Sequence, residues 1–133
     1  MEDLRARVEV CGPIQLVSEA NVRTHWRVRA ARAKAQRGSV KVLLGSKLPA
    51  GRFWLPARVV ITRLGTRLLD SDNLAGSAKA VRDEIAAWLG CGDSPQDPVT
   101  WEYQQLTIKE AKVLYPEVAK WKYGLRVEVV HVG

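Results

Sequence analysis

The segment Leu74 to Leu89 places Leu74, Ala78, Val81, Ile85 and Leu89 on one stripe at helical spacing, soon after a β-branched run from Ala57 to Leu64. Apolar residues recurring every three to four positions define a core-facing helix. A short run rich in Val, Ile and Thr reads instead as a strand. A strand that feeds a core-facing helix is therefore the unit against which the rest of the chain must pack. Asp72 or Asn73 is the expected N-cap of this helix, and Gly90 its expected stop.

The remaining segments fill out a small layered domain. Leu4, Ala6, Val8 and Val10 alternate with Arg5, Arg7 and Glu9, the pattern of a half-buried strand that Gly12-Pro13 interrupts. Ser18 to Arg23 is polar and loop-like, and Thr24 is placed to cap a helix from about His25 to about Leu44, with Gly38-Ser39 as a candidate break. Lys47 to Pro56 is a loop, Gly65-Thr66 a turn, and Arg67 to Asp70 a resumption of extended chain. After a loop from Cys91 to Pro98, a strand is expected over Val99 to Ile108. A turn around Pro116 or a short helix lies within Glu110 to Trp121, and a last strand over Tyr123 to Val132. Strands and helices mix without a regular βαβ rhythm. The class is therefore α+β, one domain over residues 1–133 with two main helices. Trp26 is expected to anchor its helix in the core, rather than to stack on a base or sugar. Trp88, Trp101 and Trp121 also fit the core, and Trp54 lies in a loop.

Charge narrows the function. The chain carries a net charge of +7, and from Ala20 to Leu69 twelve Arg and Lys occur without one acidic residue. Ordinary surfaces mix signs, so this stretch suggests a polyanionic partner. Arg23, Arg27, Arg29, Arg32, Lys34, Arg37 and Arg67 are the candidate contacts to phosphate. No apolar run approaches the roughly 20 residues that span a bilayer. Met1 to Arg5 has no signal-peptide core. Cys11 and Cys91 form neither a disulfide framework nor a zinc knuckle. A cytoplasmic protein without a membrane partner is expected.

The acid-free stretch ends in Asp70-Ser71-Asp72-Asn73. Residues two apart on an extended segment point to one side, and two like charges held together favour a shared cation. Carboxylate oxygens suit Mg²⁺ or Mn²⁺. Asp72, Gly76, Lys79 and Asp83 fall on a second helical stripe, and Asp93 sits in the following loop. Each has an ordinary alternative: a helix-start pair for Asp70 and Asp72, a surface ion pair for Lys79 and Asp83, and a turn residue for Asp93. Taken together, three carboxylates and a lysine match what phosphodiester cleavage requires, a cation to polarise the phosphate and an ammonium to neutralise developing charge. His25 and His131 are read as structural.

Leu69-Asp70-Ser71-Asp72-Asn73-Leu74, then Lys79-Ala80-Val81-Arg82-Asp83, Ile85 to Gly90 and Asp93, resembles the RusA family of Holliday junction resolvases, small phage and prophage endodeoxyribonucleases. Asn21, His25 and Trp26 at the start of the basic helix and Trp101-Glu102-Tyr103 after the acidic loop agree, so the likeness spans roughly Val8 to Val130. The resemblance implies a mixed sheet with helices and a homodimer. It implies Mg²⁺-dependent paired nicks in four-way DNA junctions during recombination or repair. It makes Asp70, Asp72 and Asp93 the metal carboxylates, Lys79 the catalytic lysine and Asp83 a supporting acid. The chain departs from the family pattern twice. Its lysine lies seven rather than four residues after the second Asp, and Gly92-Asp93-Ser94 has one loop carboxylate where two are usual, with Asp97 as a substitute. The alternative reading is a branched-DNA-binding protein of the same fold with weak or no cleavage. An RNA-binding module has no aromatic ribonucleoprotein motif to support it.

Overall fold

The computed structural model describes residues 3–18, 25–92 and 96–133. They form strand β1 (Arg7–Gly12), helix α1 (Trp26–Lys47), β2 (Ala57–Gly65), α2 (Ser71–Ser77), α3 (Lys79–Leu89), β3 (Val99–Thr107), α4 (Ile108–Leu114), a 3₁₀ turn (Pro116–Val118) and β4 (Gly124–His131). The four strands make one mixed sheet in the order β1-β4-β2-β3. β4 lies antiparallel to both β1 and β2, whereas β2 and β3 are parallel, in a register that sets Val59 beside Trp101, Ile61 beside Tyr103 and Arg63 beside Gln105. The α+β class expected from the residues is the class observed, although β2, α2, α3 and β3 together make one βαβ crossover that the residue pattern did not announce.

Alternation decides the faces. Val8, Val10, Val59, Ile61, Val127 and Val129 point to one side, where they meet Val40 and Leu44 of α1 and Val81, Ile85, Trp88 and Leu89 of α3. The helical stripe read from the sequence is the buried one: Leu74, Ala78, Val81, Ile85 and Leu89 are all buried. On the reverse face a smaller cluster gathers Leu64, Ala111 and Val118 under α4. Gly90 closes α3 in the left-handed conformation at φ 80°, which glycine adopts without a Cβ penalty.

Several expectations are corrected. The segment expected as one helix from Leu74 to Leu89 is two. Ser77 Oγ donates to Leu74 O at 2.7 Å, and the Ala78 N–H turns to Ala75 O at 3.2 Å. A serine side chain thus takes the carbonyl that the next helical turn needs. Neither Asp72 nor Asn73 is the cap; Asp70 holds that position. α1 continues through Gly38-Ser39 to Lys47. An exposed helical glycine costs only about 1 kcal/mol against alanine, less than burying Val40 and Leu44 returns. Thr24 lies outside the described residues, and His25 occupies the N-cap of α1, its Nδ1 accepting from Arg27 N at 3.1 Å.

Among the tryptophans, Trp88 is buried, Trp101 and Trp121 are half-buried at the core margins, and Trp54 is 41% exposed. Trp26 is not a core anchor: it is 66% exposed. Arg67 to Asp70 joins no strand ladder although Asp70 keeps an extended backbone, and Asp72, expected two steps along the same extended segment, instead lies in the first turn of α2. Both cysteines are free. Among the described residues, no helix is long and apolar enough to cross a membrane.

Ile85 is fully buried between α3 and the sheet. Ile85→Ala is expected to lower unfolding free energy by about 2–5 kcal/mol, while Val113→Ala, at an exposed position, stays within about 0.5 kcal/mol. Urea denaturation of the two variants checks this, and equal midpoints would overturn the core assignment.

Candidate active site

The parallel pairing of β2 and β3 puts the carboxyl ends of both strands at one end of the sheet, where open α/β layers build their sites. The chain leaves β2 at Gly65, and two side chains hold the next five residues. The Arg63 guanidinium donates to Arg67 O at 2.6 Å and to Leu16 O at 3.2 Å, tying the loop to the segment after β1. Its half-buried position pushes its pKa down from the ordinary arginine value. Gly65 makes room for it, since a Cβ there would lie 2.7 Å from a guanidinium nitrogen. Beyond it, Gln105 on β3 receives the Leu69 N–H at 2.9 Å and donates to Leu69 O at 2.6 Å. That reciprocal pair is what a neighbouring strand would supply, here provided by one amide side chain.

Asp70 follows immediately. It stands at the N-cap of α2, and its carbonyl accepts from Leu74 N at 2.8 Å, yet its side chain makes no cap hydrogen bond. Its carboxylate is exposed, as is that of Asp72 in the first turn. The ordinary helix-capping role is therefore not the one the Asp70 side chain performs.

Lys79 opens α3. Its Nζ lies 3.3 Å from Asp83 Oδ2 on the next turn, the i,i+4 ion pair expected of that spacing, and it is three-quarters exposed. The break at Ala78 means that Asp72 and Lys79 do not share one continuous helical stripe. Lys79 and Asp83 instead line a cleft of about 380 Å³ between α1 and the α2–α3 layer, with Arg29 and Arg37 on its far wall and Gly76 and Ser77 at its end. Arg37 also reaches Glu84 at 3.3 Å. Farther along, Trp88 Nε1 donates to Leu48 O at 2.8 Å. These contacts show that α1 and α3 run in the same direction, so the start of α1 lies towards the Asp70–Asp72 end.

The other basic residues divide. Arg27 packs over the Trp26 ring at 5.4 Å, Arg32 lines a separate groove with Ile14 and Gln15, and Lys34 is exposed. Arg67 is exposed on the loop that Arg63 holds. Arg23 and Asp93 lie outside the described residues. The residues flanking the latter, Gly92 and Gln96, stand near the beginning of the parallel pair, where Ala57 N donates to Pro98 O at 2.9 Å. Asp70 follows the other end of β2. Eight strand steps separate the two ends, roughly 26 Å. Among the described residues, no group of three or more His, Cys, Asp or Glu comes together to hold a metal ion.

Sequence reasoning missed the residues that position the site. Gln105 falls within the strand expected over Val99 to Ile108, where nothing local singles it out. Arg82 was read only as part of a helix, but its guanidinium stacks over Trp101 at 4.6 Å and donates to Tyr103 Oη at 2.9 Å. The alternation Trp101, Tyr103, Gln105 was the available signal, because it puts all three on one face. Their partners become visible only once β3 lies parallel beside β2.

The charge distribution separates α1 from the rest of the surface. On the reverse sheet face, Arg7 and Arg126 bridge Glu9 and Glu128, and Arg58 meets Glu102 at 2.7 Å. α1 carries seven Lys and Arg and no acid. No family model matches the chain, and no curated protein matches it.

Gln105→Leu would leave the Leu69 N–H and carbonyl without their partner. A loss of about 1–3 kcal/mol is expected, with faster amide hydrogen exchange at Leu69 and Asp70 and unchanged exchange in β4. Unchanged protection at Leu69 would show that the amide clamp does not hold this turn.

Proposed function

We propose that the chain is a Mg²⁺-dependent DNA endonuclease of the RusA type, cutting four-way junctions by paired symmetric nicks as a homodimer, with Mn²⁺ as a substitute metal. The observation that carries this reading is the Asp70 carboxylate, exposed and not spent on capping, two residues from the exposed Asp72 at the end of the acid-free stretch. Mg²⁺ is commonly held by one or two carboxylates together with substrate phosphate oxygens, so Asp70 and Asp72 suit it without a closed protein cage. A bound Mg²⁺ would polarise the phosphodiester and lower the pKa of a coordinated water. Lys79, steadied by Asp83 and facing Arg29 across the cleft, offers positive charge to a neighbouring phosphate. Arg27, Arg29, Lys34 and Arg37 extend that charge along α1.

A homodimer would serve a second purpose besides pairing the cuts. The loop bearing Asp93 enters and leaves at the far end of the β2–β3 pair from Asp70. A second copy is the means of bringing the Asp93 carboxylate of one protomer to the Asp70–Asp72 pair of the other. The second reading, a branched-DNA-binding protein without efficient cleavage, draws on the single loop carboxylate in Gly92-Asp93-Ser94.

The test uses a labelled four-way junction with Mg²⁺, Mn²⁺ or EDTA beside a linear duplex. Metal-dependent symmetric nicks in the junction alone are expected. Asp70→Asn should abolish nicking while junction binding persists or tightens, because carboxylate–phosphate repulsion is relieved; lost binding would mark Asp70 as structural. Mixing Asp70→Asn with Asp93→Asn should restore single-strand nicking, at up to about a quarter of the intact sites in a statistical mixture of dimers. No restoration in the mixture would show that the carboxylates do not meet across two protomers.

A further inference from the structure

Trp26 combines a large aromatic surface with strong exposure at the start of a helix that bears only positive charge. Its indole is 66% exposed, the His25 ring lies 5.5 Å away, and the Arg27 guanidinium sits 5.4 Å from the ring centroid. A solvent-facing tryptophan forgoes about 2–3 kcal/mol of available burial. Here the Arg27 guanidinium beside it is cationic, and there is no acid in α1 to repel a polyanion. Aromatic faces with adjacent Arg are the elements that hold unpaired nucleobases on single-stranded segments.

Position adds a second argument. α1 and α3 run in the same direction, with Arg29 opposite Gly76 and Lys79. Trp26 lies three residues earlier, about 4.5 Å along the axis, towards the end that carries Asp70 and Asp72. An aromatic platform at that end, beside cations that follow the backbone, suits a branch point, where bases leave the duplex stack.

We propose that Trp26, flanked by His25 and Arg27, is a stacking site for an unpaired nucleobase at the branch point of the DNA substrate. This rests on the DNA-nuclease reading above and adds a residue that discriminates branched from continuous duplex. Phosphate contacts along α1 position any DNA; a base stacked on Trp26 is available only where pairing is interrupted.

The experiment uses a four-way junction with a fixed branch point and 2-aminopurine at the branch, with an unbranched duplex as comparison, both titrated in EDTA. The wild-type chain is expected to change 2-aminopurine emission on binding and to prefer the junction. Trp26→Ala should lose the emission change and weaken junction binding about 10- to 100-fold, the size of one lost base–aromatic stack, with duplex affinity nearly unchanged. Trp26→Phe should keep most of both. Wild-type emission and preference in Trp26→Ala would overturn the stacking site, while metal-dependent nicking by the same protein would leave the nuclease reading standing. Absence of both binding and nicking by the wild-type chain would overturn the two together.

Discussion

Parallel pairing of β2 with β3 is the constraint on which this molecule depends. Two parallel neighbours cannot be joined by a tight turn; the chain must cross the sheet and come back to the end where it began. Here α2 and α3 make that crossing, and the rest follows from it. The residues after β2 must turn at the carboxyl end of the pair, which is where Asp70 and Asp72 stand. α3 must then run antiparallel to β3, which lets Arg82 reach Trp101 and Tyr103. The loop from Cys91 to Pro98 has its described flanks at the opposite end. The same topology therefore puts the described flanks of that loop, Gly92 and Gln96, at the end of the sheet away from Asp70 and Asp72.

The second organising force is charge. Glu9 and Glu128 face each other across β1 and β4 in register, a like-charge pairing that would be unfavourable alone. Arg7 and Arg126 neutralise it. The Arg7 hydrogen bond, with the charges of Arg126 and Arg7 behind it, holds the Glu9 carboxyl below its ordinary pKa. That face balances itself. α1 is not balanced from within: its cations outnumber its acids by seven to none, and the tie to Glu84 comes from α3. A helix that repels itself along its length is tolerated because Val40 and Leu44 are buried, and because surface charges separated by more than about 10 Å are largely screened by salt. The packing that keeps α1 in place thus presents its cations on several faces of the helix, with Arg29 and Arg37 turned to the cleft against α3.

What the residues disclosed, and what they concealed, divides along the range of the forces involved. The buried stripe Leu74, Ala78, Val81, Ile85 and Leu89, the strand at Ala57 and the glycine stop at Gly90 depend on local periodicity and backbone preference, and each was legible. The break at Ala78 depends on a hydroxyl competing for a carbonyl three residues away. It was concealed because a serine in a helical pattern has the same periodicity whichever bond it makes. Trp26 was misjudged because an aromatic residue is usually worth more buried than exposed. Nothing in the run around it says that α1 meets the core through Gln36, Val40 and Leu44 instead. Gln105 was the least accessible. Its role needs Leu69 alongside, and that neighbour is produced by the parallel pairing itself.

The Asp70 turn illustrates how a fold separates holding a residue from using its side chain. An aspartate before a helix ordinarily earns its position by accepting from the N–H groups of the first turn. At Asp70 that task falls to other groups. Gln105 fixes the peptide of Leu69, Arg63 fixes the carbonyl of Arg67, and the carbonyl of Asp70 itself starts the helix. The backbone is thereby determined from both sides without any contribution from the carboxylate. A structural capping aspartate would be the cheaper arrangement, needing one side chain where this turn engages two long ones, Arg63 and Gln105, each with appreciable rotamer entropy to lose on ordering. The extra ordering fixes the backbone from which the Asp70 carboxylate projects, exposed and free of the cap. That disposition is what a metal-binding or substrate-binding carboxylate requires and what a cap does not.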